Sequence, residues 1–366
     1  MILAGAAVKP IVLHDYFAAA EGGGKLCLVL AQGLNADLGY GFRKPDHPFF
    51  QDQPTTSFQH DLAAYSIFPL WQQLKLSLAF SKQTQFLKNY THAIYSGFYA
   101  PLAVRNHTEG CNILYCHTPP RFIYDQQEFY MRSLPAGLRF ALRAFIDYLQ
   151  PRYEQSIAQM DAVITNSKNT QQRIHRYLNK ESIVIYPPCD TAGFVWRGQG
   201  NYYLSTARLD PLKRVELIVK AFLQMPDKRL IVASGGDQFQ YLRKLAGHAS
   251  NIEFTGWIDN ERLTALVGNA IATIYLPKDE DFGMSPVESM AAGKPVIGVS
   301  EGGLLETIIA EETGLLLDSV LTIDAICNAV NVLNPQRALV MRYACEARAK
   351  HFDTAIFLQK MREIMI

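Results

Sequence analysis

Asp279-Glu280-Asp281-Phe282-Gly283-Met284-Ser285-Pro286-Val287-Glu288 is the stretch that decides the fold, because a strand leads into it and a helix leads out. Upstream, the run from Ile271 to Leu276 is apolar, rich in strand formers and too short for a helix, so it reads as a buried strand. Ser285 stands where an N-cap belongs, with Pro286 at the first helical position and Glu288 three residues past the cap. Gly293 and Pro295 close that helix, and Val296-Ile297-Gly298-Val299 begins the next strand. Glu280 therefore falls on a loop beyond a strand's carboxyl end, and Glu288 in the first turn of the following helix. Open parallel sheets bind ligands there, beside a helix terminus that favours phosphate. Two plainer readings stay open locally. Glu288 fits a capping box that returns its carboxylate to Ser285, and Glu280 fits a solvated loop charge.

A second element lies about seventy residues earlier. Tyr202-Tyr203-Leu204-Ser205-Thr206-Ala207 reads as a strand, followed by Arg208-Leu209-Asp210-Pro211-Leu212-Lys213-Arg214 and a helix from Val215. Arg208 and Lys213 are then two cations on a turn at a strand's carboxyl edge. Lysine and arginine are mostly solvated surface residues, so one basic pair says little. A basic pair and an acidic pair at equivalent places in one repeating β/α domain say considerably more.

With these residues in place, the chain resembles a retaining glycosyltransferase of the GT-B fold, in the large family 4 group known as glycosyl transferases group 1. Arg208 and Lys213 are similar to that group's diphosphate-binding pair, and Glu280 and Glu288 to its E-x7-E motif. His117-Thr118-Pro119-Pro120, Asn166-Ser167-Lys168-Asn169, Tyr186-Pro187-Pro188 and Phe254-Thr255-Gly256-Trp257 extend the resemblance over nearly the whole length. Within the group the chain is most similar to bacterial mannosyltransferases that build O-antigen or exopolysaccharide. The resemblance implies an α/β fold with two Rossmann-like domains facing a cleft. It implies transfer of a hexose, expected to be mannose from GDP-mannose, to a glycan or lipid-linked saccharide. A nucleotide-diphosphate sugar is then a co-substrate, with no cofactor and no metal.

Composition agrees. A chain of 366 residues, 49% of them hydrophobic, can bury two ordinary cores. A net charge of +1 without a basic run or zinc spacing argues against nucleic acid as a partner. The six cysteines are scattered without a C-x-x-C pair and read as buried thiols of a reducing compartment. No apolar run reaches transmembrane length. Met1 to Val8 is apolar, but Lys9-Pro10 and a strand follow too soon for a signal peptide. The expected location is cytoplasmic, with peripheral attachment to the inner face of the cytoplasmic membrane as a further expectation.

Strand, turn and helix alternate along the chain, the pattern of α/β layering. Amino-half strands are expected at 11–13, 92–95, 112–116, 162–165 and 183–186, with helix-rich insertions over 70–90 and 135–159. Pro187-Pro188 with Gly193, Gly198 and Gly200 reads as a linker. Carboxyl-half strands are expected near Tyr202, Leu230, Ile252, Ile271 and Val296. The resulting division is an acceptor domain over 1–190, a nucleotide-sugar domain over 191–350, and a terminal helix over 351–366 that the resemblance returns to the amino domain.

The donor half of the site follows from charge. A nucleotide-diphosphate sugar carries about two negative charges, to be met by cations or helix amides. Arg208 can grip phosphate oxygens bidentately and Lys213 adds a point charge. The amides of Gly283, Met284, Ser285 and their successors supply donors at a helix N-terminus. Glu288 suits the ribose hydroxyls, as acidic residues do in other nucleotide folds. Glu280 would face the donor sugar. Gly235, in Ser234-Gly235-Gly236-Asp237, ends another strand and is either a nucleotide contact or an ordinary turn. By the resemblance Gly256 and Trp257 lie near the base; otherwise Trp257 is a packing residue.

In the amino half, Glu21-Gly22-Gly23-Gly24 follows the first strand and opens a helix over 25–32, so Gly22 and Gly23 permit close approach of a sugar or phosphate. His14 ends the first strand and is an acceptor candidate. His117 follows the strand 112–116; alone it reads as a structural hydrogen bonder, and the His-Thr-Pro-Pro match implies a catalytic role. The family pattern has glutamate after its glycine pair, where this chain has Lys25. Stabilising the departing diphosphate is the expected catalytic task, carried by Arg208, Lys213 and the helix amides. A nucleotide-sugar 2-epimerase of the same fold and a non-catalytic glycan-binding subunit are the rival readings. Finally, the stretch 69–80 mixes aromatic and aliphatic residues, and Arg132, Arg139, Arg143 and Arg152 punctuate another apolar stretch. These suit either helices lying on an anionic membrane that carries a polyprenyl-linked acceptor, or interior helices.

Overall fold

The computed structural model describes residues 9–18, 21–50 and 58–366, so the opening Met1 to Val8 lies outside the described residues. The chain divides into two compact units, one of Met1–Tyr186 with Phe357–Ile366, the other of Pro187–Ile356.

The first unit is built on seven parallel strands: β1 (Pro10–His14), β2 (Asp37–Tyr40), β3 (Gln59–Asp61), β4 (His92–Ser96), β5 (Cys111–Cys116), β6 (Ala162–Thr165) and β7 (Ile183–Val184). Their order is β3-β2-β1-β4-β5-β6-β7. Period-two alternation sends successive side chains to opposite faces. Ile11, Leu13, Ala93, Tyr95 and Leu114 enter one core with the helices Pro69–Lys82 and Ala136–Ala158. Val12, Ile94, Ile113 and Tyr115 enter the other with the helix Gly22–Gly33. Phe357 and Met361 of the last helix, Thr354–Ile364, are buried in that second core. Strands covered on both faces read as continuous apolar runs, which is why most were foreseeable. β2 and β3 were not. Asp-Leu-Gly-Tyr holds two poor strand formers, and Gln-His-Asp is a polar edge.

The second unit has six parallel strands: β8 (Tyr202–Ser205), β9 (Arg229–Val232), β10 (Ile252–Phe254), β11 (Thr273–Ile274), β12 (Val296–Val299) and β13 (Gly314–Leu317). Their order is β10-β9-β8-β11-β12-β13. β13 was also unforeseen, since Gly-Leu-Leu-Leu reads equally as helix.

Each sheet reverses its winding beside its first strand, between β1 and β4 in one unit and between β8 and β11 in the other. Ligands of doubly wound sheets bind outside the carboxyl ends of strands at such switch points. Each unit therefore has one favoured place for a ligand.

Candidate functional site

In the second unit, the switch point gathers the basic and acidic motifs. After β8, Asp210 caps a 3₁₀ turn (Pro211–Lys213), accepting from the Leu212 amide at 3.0 Å. The same carboxylate accepts from Arg208 Nε at 3.2 Å. Arg214 adopts a left-handed conformation, φ +52°, which turns the chain into the helix Val215–Leu223. Beyond β11, the Lys278 amide donates to the Leu212 carbonyl at 2.7 Å and ties the two loops together. Lys213 Nζ then meets Glu280 Oε2 at 2.6 Å. Tyr275, one residue past β11 and buried, bridges them: its hydroxyl accepts from Lys213 Nζ at 3.1 Å and donates to Glu280 Oε2 at 3.0 Å. Burial, then the charge of Glu280, pushes that hydroxyl's pKa well above its usual value, with Glu288 and Asp210 adding to the rise. Glu280, Glu288 and Asp210 thus all bear on one buried phenol.

The helix carrying Glu288 starts earlier than its sequence suggests. It spans Met284–Ala291 and its cap is Gly283, at φ +94°. Ser285 is inside the helix, so Glu288 lies in the second turn and the capping box is not formed. The loop after β12 sets this start. Gly302 (φ +61°) has no room for a Cβ, which would stand 2.4 Å from the Glu280 carbonyl oxygen; a Cβ on Gly303 would stand 2.4 Å from Phe282 Cα. The Gly303 amide donates to the Glu280 carbonyl at 2.8 Å. This loop presses the backbone of Glu280 to Phe282 into place and brings it into the helix through a left-handed glycine. The signal available in the sequence was the glycine pair after β12. Pro286 is tolerated because first-turn amides have no intrahelical partner.

Gly235 and Trp257 are brought together: a Cβ on Gly235 would lie 2.4 Å from Trp257 Nε1. Trp257 is 71% exposed, so it is not the packing residue of the plainer reading. Gly256 holds the turn before it at φ +69°.

In the first unit, the switch point assembles histidines. His14 ends β1 directly opposite Ser96 of β4. His14 Nδ1 lies 3.3 Å from the Ser96 carbonyl, and Ser96 Oγ lies 2.8 Å from His117 Nε2. Asn166 donates to the His117 carbonyl at 2.8 Å, which joins the His-Thr-Pro-Pro and Asn-Ser-Lys-Asn segments. Ser167 then caps the helix Lys168–Leu178 by accepting from the Thr170 amide. Burial, with the charge of His117 next, lowers the pKa of His14 to about 3, and burial lowers that of His117 to about 4. Both rings are uncharged at neutral pH, so His117 is a hydrogen-bonding group there and not a cation.

The glycine run is helix, not loop, because the helix begins at Gly22 with Glu21 as its cap. Gly22 is open, whereas a Cβ on Gly23 would approach His117 Nε2 to 3.4 Å. Lys25 is an exposed residue of the same helix. Asp15, the residue after His14, has an architectural role. Its carboxylate accepts from the amides of Phe98, Tyr99 and Ala100 at 2.6–2.8 Å and caps the 3₁₀ helix Ala100–Asn106. Among the described residues, no group of three or more His, Cys, Asp and Glu is arranged to hold a metal ion.

Residues 191–350 match the family model described as Glycosyl transferases group 1. These residues are a glycosyl transferases group 1 domain. The domain contains Arg208, Lys213, Tyr275, Glu280, Glu288 and Trp257. The chain is similar to the α-1,3/1,6-mannosyltransferase ALG2 of Saccharomyces cerevisiae, with 27% identity over 250 residues, 54% of this chain and 47% of that protein. The chain spans about half the length of the curated relatives it matches. A sucrose-phosphate synthase from Thermosynechococcus elongatus has a similar structure, with TM-score 0.76 and 19% identity, covering 97% of this chain and 98% of that one. Anabaena HepE, solved in complex with UDP and glucose, gives TM-score 0.76 at 16% identity, covering 98% and 99%. The fold is that of the GT-B glycosyltransferases.

Proposed function

We propose that the chain is a retaining glycosyltransferase that moves a hexose, mannose from GDP-mannose, to a glycan or lipid-linked saccharide in polysaccharide synthesis. The observation that carries this reading is the cluster of Lys213, Glu280 and Tyr275 beside the helix amides at Gly283–Ser285, at the switch point of the group 1 domain. A departing diphosphate needs positive charge, and Lys213, Arg208 and the amides supply it. Glu280 is held by groups on both sides and suits the hydroxyls of the donor sugar. Glu288 suits the ribose, and exposed Trp257 offers an aromatic face to the base. The neutral His117 ring would hydrogen-bond the sugar. The relatives' mannosyltransferase names support mannose, whereas the UDP and glucose in HepE favour a uridine donor as the second reading.

The cationic pair meets the diphosphate charge directly, so transfer is expected to need no divalent ion. One experiment covers these points. GDP-, UDP- and ADP-hexoses are screened by melting temperature, since a cognate ligand stabilises by mass action. The ligand that stabilises is then turned over with and without a lipid-linked acceptor, with and without EDTA, and the product's anomeric configuration is read by NMR. Turnover of GDP-mannose that needs acceptor, resists EDTA and retains configuration is the expected result. Inversion, or activity restored to EDTA-treated enzyme only by Mg²⁺ or Mn²⁺, overturns the corresponding part. Consumption of donor without any acceptor indicates an epimerase, and no turnover a binding subunit.

We also infer peripheral attachment to the cytoplasmic face of an anionic membrane. The core takes Leu76, Ala79 and Phe80 of the helix Pro69–Lys82 but leaves Trp71 53% exposed, next to exposed Ile67 and Phe68. The helix Ala136–Ala158 likewise buries Leu142, Ile146 and Leu149 and leaves Phe140 81% exposed. Between these helices opens an apolar cavity of about 330 Å³, lined by Leu70, Trp71, Leu74, Ala141, Phe145 and Tyr148 among others. Arg132, Arg139, Arg143 and Arg152 are exposed nearby in sequence. Among the described residues no helix is long and apolar enough to cross a membrane. Each cation near an anionic surface contributes roughly 1 kcal/mol, so binding should be reversible by salt. Flotation with anionic vesicles at low salt, lost at high salt and weakened by Trp71→Ser with Phe140→Ser, is expected. Absence of flotation under every lipid and salt condition leaves this face without a membrane role.

A further inference from the structure

We propose that Tyr275 is a positioning residue for Glu280, holding the carboxylate in register while Lys213 is drawn to the donor diphosphate. The inference rests on the donor-site reading above. Lys213 ends a short 3₁₀ turn and Glu280 stands on a loop, whereas Tyr275 directly continues β11, and its amide donates to the Ile297 carbonyl at 2.9 Å. The phenol is therefore the fixed member of the group. Its oxygen lies 3.1 Å from Lys213 Nζ and 3.0 Å from Glu280 Oε2, and the ammonium also sits 5.4 Å from the centre of the phenol ring. Lys213 is asked to do two things, to pair with Glu280 and to bind phosphate. An ammonium that turns toward a diphosphate weakens its bond to the carboxylate. The Tyr275 hydroxyl stays protonated, because burial and the neighbouring charge hold its pKa far above neutrality, so it continues to donate to Glu280. Phenylalanine keeps the ring and the packing and removes that donor, together with the oxygen that accepts from Lys213.

The test uses the full chain and whichever of the GDP-, UDP- and ADP-hexoses raises its melting temperature, following nucleotide release with acceptor present. Tyr275→Phe is expected to lower kcat about tenfold, as loss of a hydrogen bond to a charged group does, with donor KM changed less than about threefold. Its melting temperature should stay close to that of the parent. In a Glu280→Gln background the same substitution should have no further effect, because Tyr275 acts through that carboxylate. A kcat within about twofold of the parent, while Glu280→Gln is impaired, overturns the proposal. So do losses that simply multiply in the double variant, and so does a large fall in melting temperature with normal turnover per folded molecule. Full activity of Glu280→Gln alone, or no turnover of any of the three donors by the parent, instead removes the donor-site reading and this inference with it.

Discussion

Lys213→Ala is expected to lower nucleotide-sugar turnover about 100- to 1000-fold, the usual consequence of removing one fixed group that stabilises developing negative charge. The lysine is held by two partners. Its ammonium is bound to Glu280 at 2.6 Å and to Tyr275 at 3.1 Å, with only about a fifth of the side chain exposed (21%). Alanine removes the charge and the ion pair with Glu280, which keeps its bond from Tyr275, so kcat should fall more than donor affinity. The fold should persist. The turn is held by backbone bonds, from the Lys213 amide to the Asp210 carbonyl and from the Lys278 amide to the Leu212 carbonyl, which alanine keeps. Glu288→Ala should behave differently. A carboxylate on the ribose binds ground and transition states alike, so donor KM should rise roughly 10- to 100-fold with kcat little changed. Steady-state kinetics at limiting donor, with melting curves as a control, separate the two. Near-normal kinetics in both variants would remove the assignment of this site.

Where the sequence spoke clearly, one physical reason recurs. Strands covered on both faces must be apolar throughout, so Ile11-Val12-Leu13 or Val296-Ile297-Gly298-Val299 could be read directly, and their carboxyl ends located His14, Arg208, Lys213 and Glu280. β2 could not be read, because Asp37 and Gly39 are poor strand formers on either side of Leu38. The cap of the Glu288 helix was misread because Ser285 is the better local cap, and tertiary contact overrode it. Tyr275 was invisible as a functional residue. A tyrosine at a strand end is ordinary strand chemistry, and only the placement of its hydroxyl between a lysine and a glutamate gives it a role. Trp257 went the other way, since its exposure removes the packing reading that the sequence left open.

The loop that overrode the Ser285 cap yields the second large effect. Gly302→Ala and Gly303→Ala should each destabilise the carboxyl-terminal unit and disable the site, for separable reasons. At Gly303 the backbone is ordinary, φ −66°, so alanine tests space alone. Its Cβ would stand 2.4 Å from Phe282 Cα and 2.5 Å from the Asp281 carbonyl oxygen, and neither is a flexible side-chain end that can step aside. Overpacking of this kind costs about 1–3 kcal/mol. At Gly302 the clash, 2.4 Å from the Glu280 carbonyl oxygen, is joined by φ +61°. A left-handed conformation costs a non-glycine residue roughly 1–2 kcal/mol more, so Gly302→Ala should be the worse of the two. Relief of either clash requires the Glu280 to Phe282 backbone to move. Turnover per folded molecule should therefore fall at least about tenfold, because misplacement of reacting groups by about an ångström is that costly. Gly137→Ala is the control of opposite sign. It lies in the helix Ala136–Ala158 with nothing within 4 Å of the added Cβ, so it should leave turnover unchanged and stability the same or slightly higher. Melting temperature and nucleotide release measured on the three variants give the ranking. If Gly302→Ala and Gly303→Ala match Gly137→Ala in both measurements, this loop does not hold Glu280 in place.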